Sequence, residues 1–340
     1  MPLTVYLVQE NDVPTIHTST IKPVYQSILH TAQEDKHGRY RLTDSPDAAD
    51  FILALVGGQN YGCCHSLLWQ SAFFHRYHHK FYVYCPEDFP IPLFPGIYPA
   101  ASRFWVKIGW IQGGNYLQGH HYQFEFVKRT LPRDLLFSFI GTSENNAIRA
   151  EILRLKHKRS LLKDTGSRFW YLQSSKVVED RFHEYEDVLV RSRFALCPSG
   201  LAPSSLRLFE AMKAGCVPVI ISDALILPEG PDWNSFSLRV SESKVSTIPT
   251  LLEELEPLSD TMGKLSRQAW EDFYSPQTSF NTVGNILAEL DRGIRSRRRR
   301  LYALAYIVTF FQPNAVGSRA RKIKSLLKNM FSLEQQDEKQ

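Results

Sequence analysis

Cysteine and long apolar runs are both scarce in this sequence, and each scarcity argues against a class of protein. The five cysteines form no pair of C-x-x-C motifs, which argues against a zinc ribbon. The longest apolar run, Leu301 to Phe311, has eleven residues and is too short to cross a bilayer as a helix. Met1 to Val8 has no basic lead and no long apolar core, so we expect no signal peptide and a reducing, cytoplasmic location.

Length and composition predict a globular protein of two domains. The chain has 340 residues, of which 43% are hydrophobic and 22% charged. The formal net charge of +5 suits an anionic ligand or membrane surface and does not require nucleic acid. A polar stretch around Arg129 to Asp134 predicts the division: an N-terminal domain over 1–132, a second domain over 133–280, and C-terminal helices with a basic tail over 281–340.

Short apolar runs separated by helical segments predict a parallel sheet in each half of the chain. The predicted strands are Thr4–Val8, Phe51–Val56, Phe81–Tyr84, Leu135–Ile140, Phe194–Cys197 and Cys216–Ile221. The predicted helices of the second half are Asn145–Leu155, Glu179–Ser192, Ser205–Ala214, Leu251–Leu258, Thr261–Phe273 and Ser279–Arg292. The fold class is therefore α/β, with two domains and a cleft between them.

The loop after the Phe194–Cys197 strand carries the most informative polar pattern. Ser204 or Ser205 would cap the helix that follows, and Arg207 and Glu210 are three residues apart, on one face of that helix. A helix start with an arginine suits a diphosphate, and a glutamate one turn later can accept hydrogen bonds from two ribose hydroxyls. The alternative from spacing alone is that Arg207 and Glu210 form an exposed ion pair.

An ordered series of motifs in the second half resembles the exostosin domain of glycosyltransferase family 47. The matching motifs are Cys197-Pro-Ser-Gly200, Ser205-x-Arg207-x-x-Glu210-Ala211, Gly215 to Asp223, Leu227-Pro228, Asp232-Trp233 and Phe236-Ser237. Upstream, Leu136-Phe-Ser-Phe-Ile-Gly141 followed by Arg149 is similar to the family's first strand of this domain.

The resemblance implies a GT-B fold, with two Rossmann-like domains facing a cleft and the donor bound by the second. It implies a glycosyltransferase that moves a sugar, with inversion, from a nucleotide-sugar donor such as a UDP-sugar to a glycan, without a cofactor. Arg207 would hold the diphosphate and Glu210 the ribose, while Ser205, Gly141 and Arg149 would line the phosphate side. The full set of expected donor-binding residues is Gly141, Arg149, Ser199, Gly200, Ser205, Arg207, Glu210 and Asp223.

The resemblance weakens before residue 130, so the general base is chosen from polar residues of the first half. Asp12 and Asp88 each follow an apolar strand and are favoured, with His65 as a further candidate. The chain contains no Asp-x-Asp pair, so we expect no metal and let the helix start and Arg207 neutralise the leaving diphosphate.

Two alternatives remain open from the sequence. One is another nucleotide-sugar enzyme of the same architecture, such as a fucosyltransferase or an epimerase. The other is a catalytically silent glycan-binding or scaffolding protein of the same fold.

The dense basic run Arg295 to Arg300, with Leu301 to Phe311 and the basic stretch Arg319 to Lys328, predicts peripheral contact with an anionic membrane. Alternatively, Leu301 to Phe311 packs back on the N-terminal domain as a helix.

Overall fold

Two parallel β-sheets with flanking helices form the architecture, which confirms the predicted α/β class with two sheets and agrees with the GT-B type. The structure is a computed structural model that describes residues 1–14, 16, 19, 21–57, 67–68, 70–88, 90, 92, 94–103, 110–117, 126, 131–166 and 175–294. Among these residues, every helix is too short or too polar to span a membrane. The basic segment with the predicted membrane contact lies outside them, so that contact stays a prediction.

The first sheet has six parallel strands in the order β2-β1-β3-β4-β5-β6. Its strands are β1 (Leu3–Leu7), β2 (Tyr40–Leu42), β3 (Phe51–Leu55), β4 (Phe81–Tyr84), β5 (Gly96–Ile97) and β6 (Ile111–Gln112). Every residue of β3 and β4 is buried, as expected for central strands that are covered on both faces. The three predicted runs of this half became β1, β3 and β4. The other three strands have only two or three residues, too few for a periodic pattern.

Helices α1 (Lys22–Gln33) and α2 (Ala72–Tyr77) belong to the first half. Pro23 stands in the first turn of α1, where its missing N–H costs no hydrogen bond. Helix α2 begins after Ser71, whose hydroxyl accepts a hydrogen bond from the backbone N–H of Phe74 at 3.0 Å. One face of each helix packs on the sheet, and the carboxyl ends of the strands are left for a site.

The second sheet has five parallel strands in the order β11-β10-β9-β7-β8. Its strands are β7 (Leu135–Gly141), β8 (Ser160–Asp164), β9 (Ser192–Pro198), β10 (Val217–Ile221) and β11 (Leu238–Arg239). The three predicted runs became β7, β9 and β10. The apolar pattern did not predict β8. This edge strand is only partly buried, and three of the five residues in its sequence, SLLKD, are polar.

Seven α-helices of the second half lie within the described residues. They are α3 (Ala147–Leu153), α4 (Ser175–Arg191), α5 (Arg207–Lys213), α6 (Trp233–Phe236), α7 (Ile248–Leu255), α8 (Ser259–Phe273) and α9 (Ser279–Ile294). The predicted start of α5 was wrong. The helix begins at Arg207, and Leu206 precedes it with helical backbone angles and no side-chain cap. Ser204 and Ser205 belong to the preceding loop.

Helix α9 returns from the second half and packs on the first sheet. Its residues Phe280, Val283, Ile286, Leu287 and Leu290 are buried in one cluster with side chains of the first sheet. A Cβ at Gly284 would lie 2.3 Å from the ring of Tyr40, so only glycine permits this approach of the helix to β2. Helix α9 thus packs back on the N-terminal half. The Leu301–Phe311 segment, for which the same packing was an alternative, lies outside the described residues.

Polar contacts also join the two halves. The backbone N–H of Arg103 donates to the carbonyl of Ala224 at 2.8 Å, beside an antiparallel bridge between Ser102 and Leu225. The amide of Gln112 on β6 donates to Glu229 at 2.9 Å, and Glu229 is hydrogen-bonded to Glu289 on α9. A carboxyl pair therefore lies where β6, the loop after β10 and α9 meet.

The Glu229–Glu289 pair predicts that stability falls with rising pH. The hydrogen bond to Glu229, burial and the charge of Glu229 raise the pKa of Glu289 to about 7, while Arg292 opposes the shift. The folded protein thus holds a proton that the unfolded chain, with a carboxyl pKa near 4.5, releases. The stabilisation is complete below about pH 4.5 and is lost as pH rises through about 7. Thermal unfolding of Glu289→Gln from pH 5 to 8 should show a smaller decline in Tm than the unaltered chain. The exposed Glu254→Gln variant is the control, and equal declines in all three proteins would contradict the prediction.

Candidate active site

A cavity of about 430 Å³ opens at the carboxyl ends of β7 and β8 and beside the loop after β9. This is the edge at which open parallel sheets bind their ligands. Most of its wall comes from the second half, and Asp88 and Tyr116 come from the first. The wall includes Ile140, Gly141, Thr142, Asn145, Arg149, Lys163, Asp164, Thr165, Arg181, Phe182, Glu184, Tyr185, Gly200, Leu201, Ser204, Ser205, Leu206, Arg207 and Glu210.

Strand β7 brings the chain to the cavity and ends at a glycine. Its first six residues are buried, and Gly141 follows at the cavity wall. A Cβ on Gly141 would lie 3.0 Å from the ring of Phe139 and 3.2 Å from Nη2 of Arg207. The missing side chain therefore leaves room for the Arg207 guanidinium at the end of the strand.

Arg207, the first residue of α5, extends its guanidinium into this space. Its Nη2 donates to the carbonyl of Ile140, and its Cζ lies 4.6 Å from the ring centroid of Phe139. The same atom lies 5.6 Å from the ring centroid of Tyr185 on α4. Within the described part of the chain, Nε and Nη1 of Arg207 are buried and have no hydrogen-bond partner. Two charged donors of this wall residue thus lack an acceptor among the described residues.

Arg149 on α3 supplies a second guanidinium. Its Nε donates to the carbonyl of Ser199 at 2.9 Å, and Nη1 donates to the carbonyl of Thr142 at 3.3 Å. Burial, and then the neighbouring charge of Arg207, lowers the pKa of Arg149 to about 10. It is still protonated at neutral pH. Two arginines that repel each other in one cavity indicate an anionic ligand.

Glu210 lies one turn after Arg207 and is 7% exposed. Its Oε2 accepts a hydrogen bond of 2.5 Å from the hydroxyl of Tyr185. Burial, followed by the charge of Glu210, raises the pKa of Tyr185 well above its usual value. The phenol therefore stays protonated and keeps donating to the carboxylate at physiological pH.

The first half contributes Asp88 and Tyr116 to the cavity wall. Tyr116 is buried, and its hydroxyl is hydrogen-bonded to Ser204 of the loop before α5. Burial and the charge of Asp88 raise the pKa of Tyr116 far above its usual value, which shows that the carboxylate lies near this phenol. A carboxylate of the first half thus lines the same cavity as the two arginines and Glu210 of the second.

The structure brings together most of the residues that the sequence singled out. The cavity wall includes Asp88, Gly141, Arg149, Gly200, Ser205, Arg207 and Glu210. Ser199 lies behind the wall, where its hydroxyl accepts from Asn146 at 2.9 Å. Asp223 lies away from the wall and accepts a hydrogen bond from Ser241. The individual roles of these residues stay predictions.

The other two base candidates lie elsewhere. Asp12 is outside the cavity wall, and its Oδ2 accepts hydrogen bonds from the Tyr6 hydroxyl at 2.7 Å and the Gln9 backbone at 2.9 Å. His65 lies outside the described residues. In the part of the chain that the structure describes, no three His, Cys, Asp or Glu side chains group as metal ligands would.

The sequence indicated Asp88 of the first half but did not indicate the aromatic residues Phe139, Tyr185 and Tyr116 as part of the site. Phe139 and Tyr185 belong to segments that read as a buried strand and an amphipathic helix, and aromatic residues are ordinary in both. Tyr116 lies in a loop after a two-residue strand. Arg207 and Glu210 were indicated by their spacing of three residues on one helix face. The aromatic residues have no such polar pattern around them, so no local pattern indicated them.

Comparison with known proteins shows which family the second half of the chain resembles. Residues 118–255 match the model of the Exostosin GT47 domain. The chain is 30% identical over 182 residues to a probable glucuronosyltransferase of Oryza sativa subsp. japonica, a match over 50% of this chain and 41% of the relative. It is 42% identical over 149 residues to a probable glucuronoxylan glucuronosyltransferase of Arabidopsis thaliana, a match over 41% of this chain and 30% of the relative. The chain thus matches less than half the length of either relative.

Among solved structures, the chain is similar to sucrose-phosphate synthase from Thermosynechococcus elongatus, with a TM-score of 0.45 and 13% sequence identity. That alignment covers 86% of this chain and 100% of the synthase chain. A score this low does not bear on donor or acceptor. By its sequence matches, the chain carries a region, residues 118–255, that is similar to the Exostosin GT47 domain, and it resembles plant proteins named as probable glucuronosyltransferases.

Proposed function

We propose that this protein is a glycosyltransferase that moves a sugar from a UDP-sugar to a glycan, with inversion and without a metal ion, in polysaccharide or glycoconjugate synthesis. The observation that carries the proposal is the cavity that Arg149, Arg207 and Glu210 of one half line together with Asp88 of the other. A silent glycan-binding protein would not need a carboxylate in the cavity of the donor-binding groups.

The two arginines suit the diphosphate of a nucleotide sugar. Two phosphates carry negative charge that the guanidinium groups of Arg149 and Arg207 can neutralise, and Arg207 has two buried donors to offer. As the bond between the sugar and the diphosphate breaks, negative charge grows on the leaving oxygen. Fixed cationic donors stabilise that charge more in the transition state than in the ground state.

Glu210 suits the ribose of the donor. Its carboxylate is a strong acceptor at the cavity wall, one turn along α5 from Arg207. Vicinal hydroxyls can donate to a carboxylate that lies next to the diphosphate site. The names of the two plant relatives make UDP-glucuronate the first donor to test.

Asp88 is our choice for the general base, over Asp12 and His65. It lies at the cavity wall after β4, whereas Asp12 accepts two hydrogen bonds elsewhere. In the proposed step, the acceptor hydroxyl oxygen bonds to the anomeric carbon and its proton passes to Asp88. The electron pair of the breaking C–O bond leaves with the diphosphate, so a single displacement inverts the anomeric carbon.

The donor assignment predicts that Arg207→Ala and Glu210→Ala each weaken UDP-sugar binding strongly in a chain that still folds. Each variant removes a charged hydrogen-bonding group, which costs about 1.5–3 kcal/mol of binding free energy. Titration calorimetry with UDP measures the loss, and thermal unfolding checks the fold. Arg76→Ala, which removes an exposed arginine paired with Asp47 outside the cavity wall, is the matched control. Unchanged affinity in both site variants would refute the assignment.

The base assignment predicts that Asp88→Asn lowers kcat by roughly 10²-fold or more and leaves the Kd for UDP nearly unchanged. The amide cannot take the proton of the acceptor hydroxyl but keeps the size of the side chain. Transfer from a radiolabelled UDP-sugar gives kcat. The same measurement on Asp12→Asn decides between the candidates, since a larger loss there than in Asp88→Asn would transfer the role to Asp12.

Metal independence predicts that activity survives excess EDTA. The basis is the missing Asp-x-Asp pair together with the two arginines, which can neutralise the leaving group. Turnover is measured before and after chelation and after addition of manganese or magnesium. Activity that disappears with EDTA and returns with either ion would show that the leaving group depends on a metal.

A further inference from the structure

One tyrosine contacts both groups to which the proposed function assigns the donor nucleotide. Tyr185 lies on α4, in a helix separate from Arg207 and Glu210. Its hydroxyl donates to Oε2 of Glu210 at 2.5 Å, and its ring centroid lies 5.6 Å from Cζ of Arg207. No sequence motif singled it out.

The two contacts differ in chemistry. The hydroxyl fixes one oxygen of the Glu210 carboxylate, so the orientation of the group toward the cavity is set before a ligand arrives. The ring and Phe139 both offer π-electron density to the Arg207 guanidinium, while Nη2 donates to the carbonyl of Ile140. Stacking leaves the N–H donors at the edge of the guanidinium available to a ligand in the cavity.

The packing of Tyr185 does not require its hydroxyl. The side chain is half-buried and packs against two apolar clusters, which include Leu189, Ala195 and Val188. Phenylalanine keeps this apolar contact and the ring beside Arg207. A Tyr185→Phe variant therefore removes one function of the residue and retains the other.

We propose that Tyr185 is a positioning residue for the donor nucleotide, whose hydroxyl orients Glu210 toward the ribose and whose ring holds Arg207 toward the diphosphate. The inference rests on the proposed function, because it takes from it the two partners of the nucleotide. It adds a residue of α4 that acts through both groups.

The test is a series of three ligands, uridine, UMP and UDP, titrated into the full chain and its variants. Tyr185→Phe should weaken all three by about the same factor, roughly tenfold, because it removes a hydrogen bond to a charged group at the ribose site. The ratio of the UMP Kd to the UDP Kd, which reports the second phosphate, should stay as in the unaltered chain. Tyr185→Leu should also reduce that ratio, by about threefold, because the ring is lost as well.

Two controls separate positioning from general loosening. Tyr274→Phe removes another buried tyrosine hydroxyl, one outside the cavity wall and without a hydrogen-bond partner among the described residues, and should change no Kd. In a Glu210→Ala background, Tyr185→Phe should have no further effect, because its hydroxyl then has no carboxylate to orient.

The outcomes distinguish the two proposals. A chain that binds UDP and loses nothing in Tyr185→Phe, or loses as much again in the Glu210→Ala background, overturns the role of Tyr185 alone. A ratio of the UMP and UDP constants that changes in Tyr185→Phe overturns the division between hydroxyl and ring. An unaltered chain that binds none of the three ligands overturns the proposed function, and the role of Tyr185 with it.

Discussion

The guanidinium of Arg207 is held in a cavity with more donors than the surrounding protein uses. Burying an unsatisfied charged donor costs free energy, so the fold needs compensating contacts to keep it there. Those contacts are the carbonyl of Ile140 and the rings of Phe139 and Tyr185. Nε and Nη1 still lack a hydrogen-bond acceptor among the described residues, and an anionic ligand could supply one. Residues of β7 and α4 therefore hold the side chain that α5 extends into the cavity.

A second requirement is that the two halves of the chain keep a fixed relation. Asp88 can line one cavity with the arginines only if the first half is held against the second. Tyr116, hydrogen-bonded to Ser204, joins the halves at the cavity itself. Helix α9, the bridge at Ser102 and the Glu229–Glu289 pair join them elsewhere. The site therefore depends on contacts that are far apart in sequence.

Local patterns were enough to predict the strands that form the middle of each sheet. Phe51–Val56 and Leu135–Ile140 are continuous apolar runs because both faces of these strands are covered. Edge strands such as β8 are half exposed and carry no such signal. The same limit explains the site. The spacing of Arg207 and Glu210 is local, and Asp88 was indicated by its place after an apolar strand. Tyr185 reaches the cavity only through tertiary packing, which no single-segment pattern encodes.

Because α9 covers the first sheet, the core of the first half cannot be completed when its strands have been synthesised. It is completed only after the second half has been synthesised as well. The first six strands leave the ribosome long before residues 279–294. Until then, the sheet face that receives Phe280, Val283 and Leu287 lacks its cover, and exposed apolar surface favours aggregation. The first half thus passes through synthesis as an incomplete domain, open to chaperones, and it closes only after the second sheet has been synthesised.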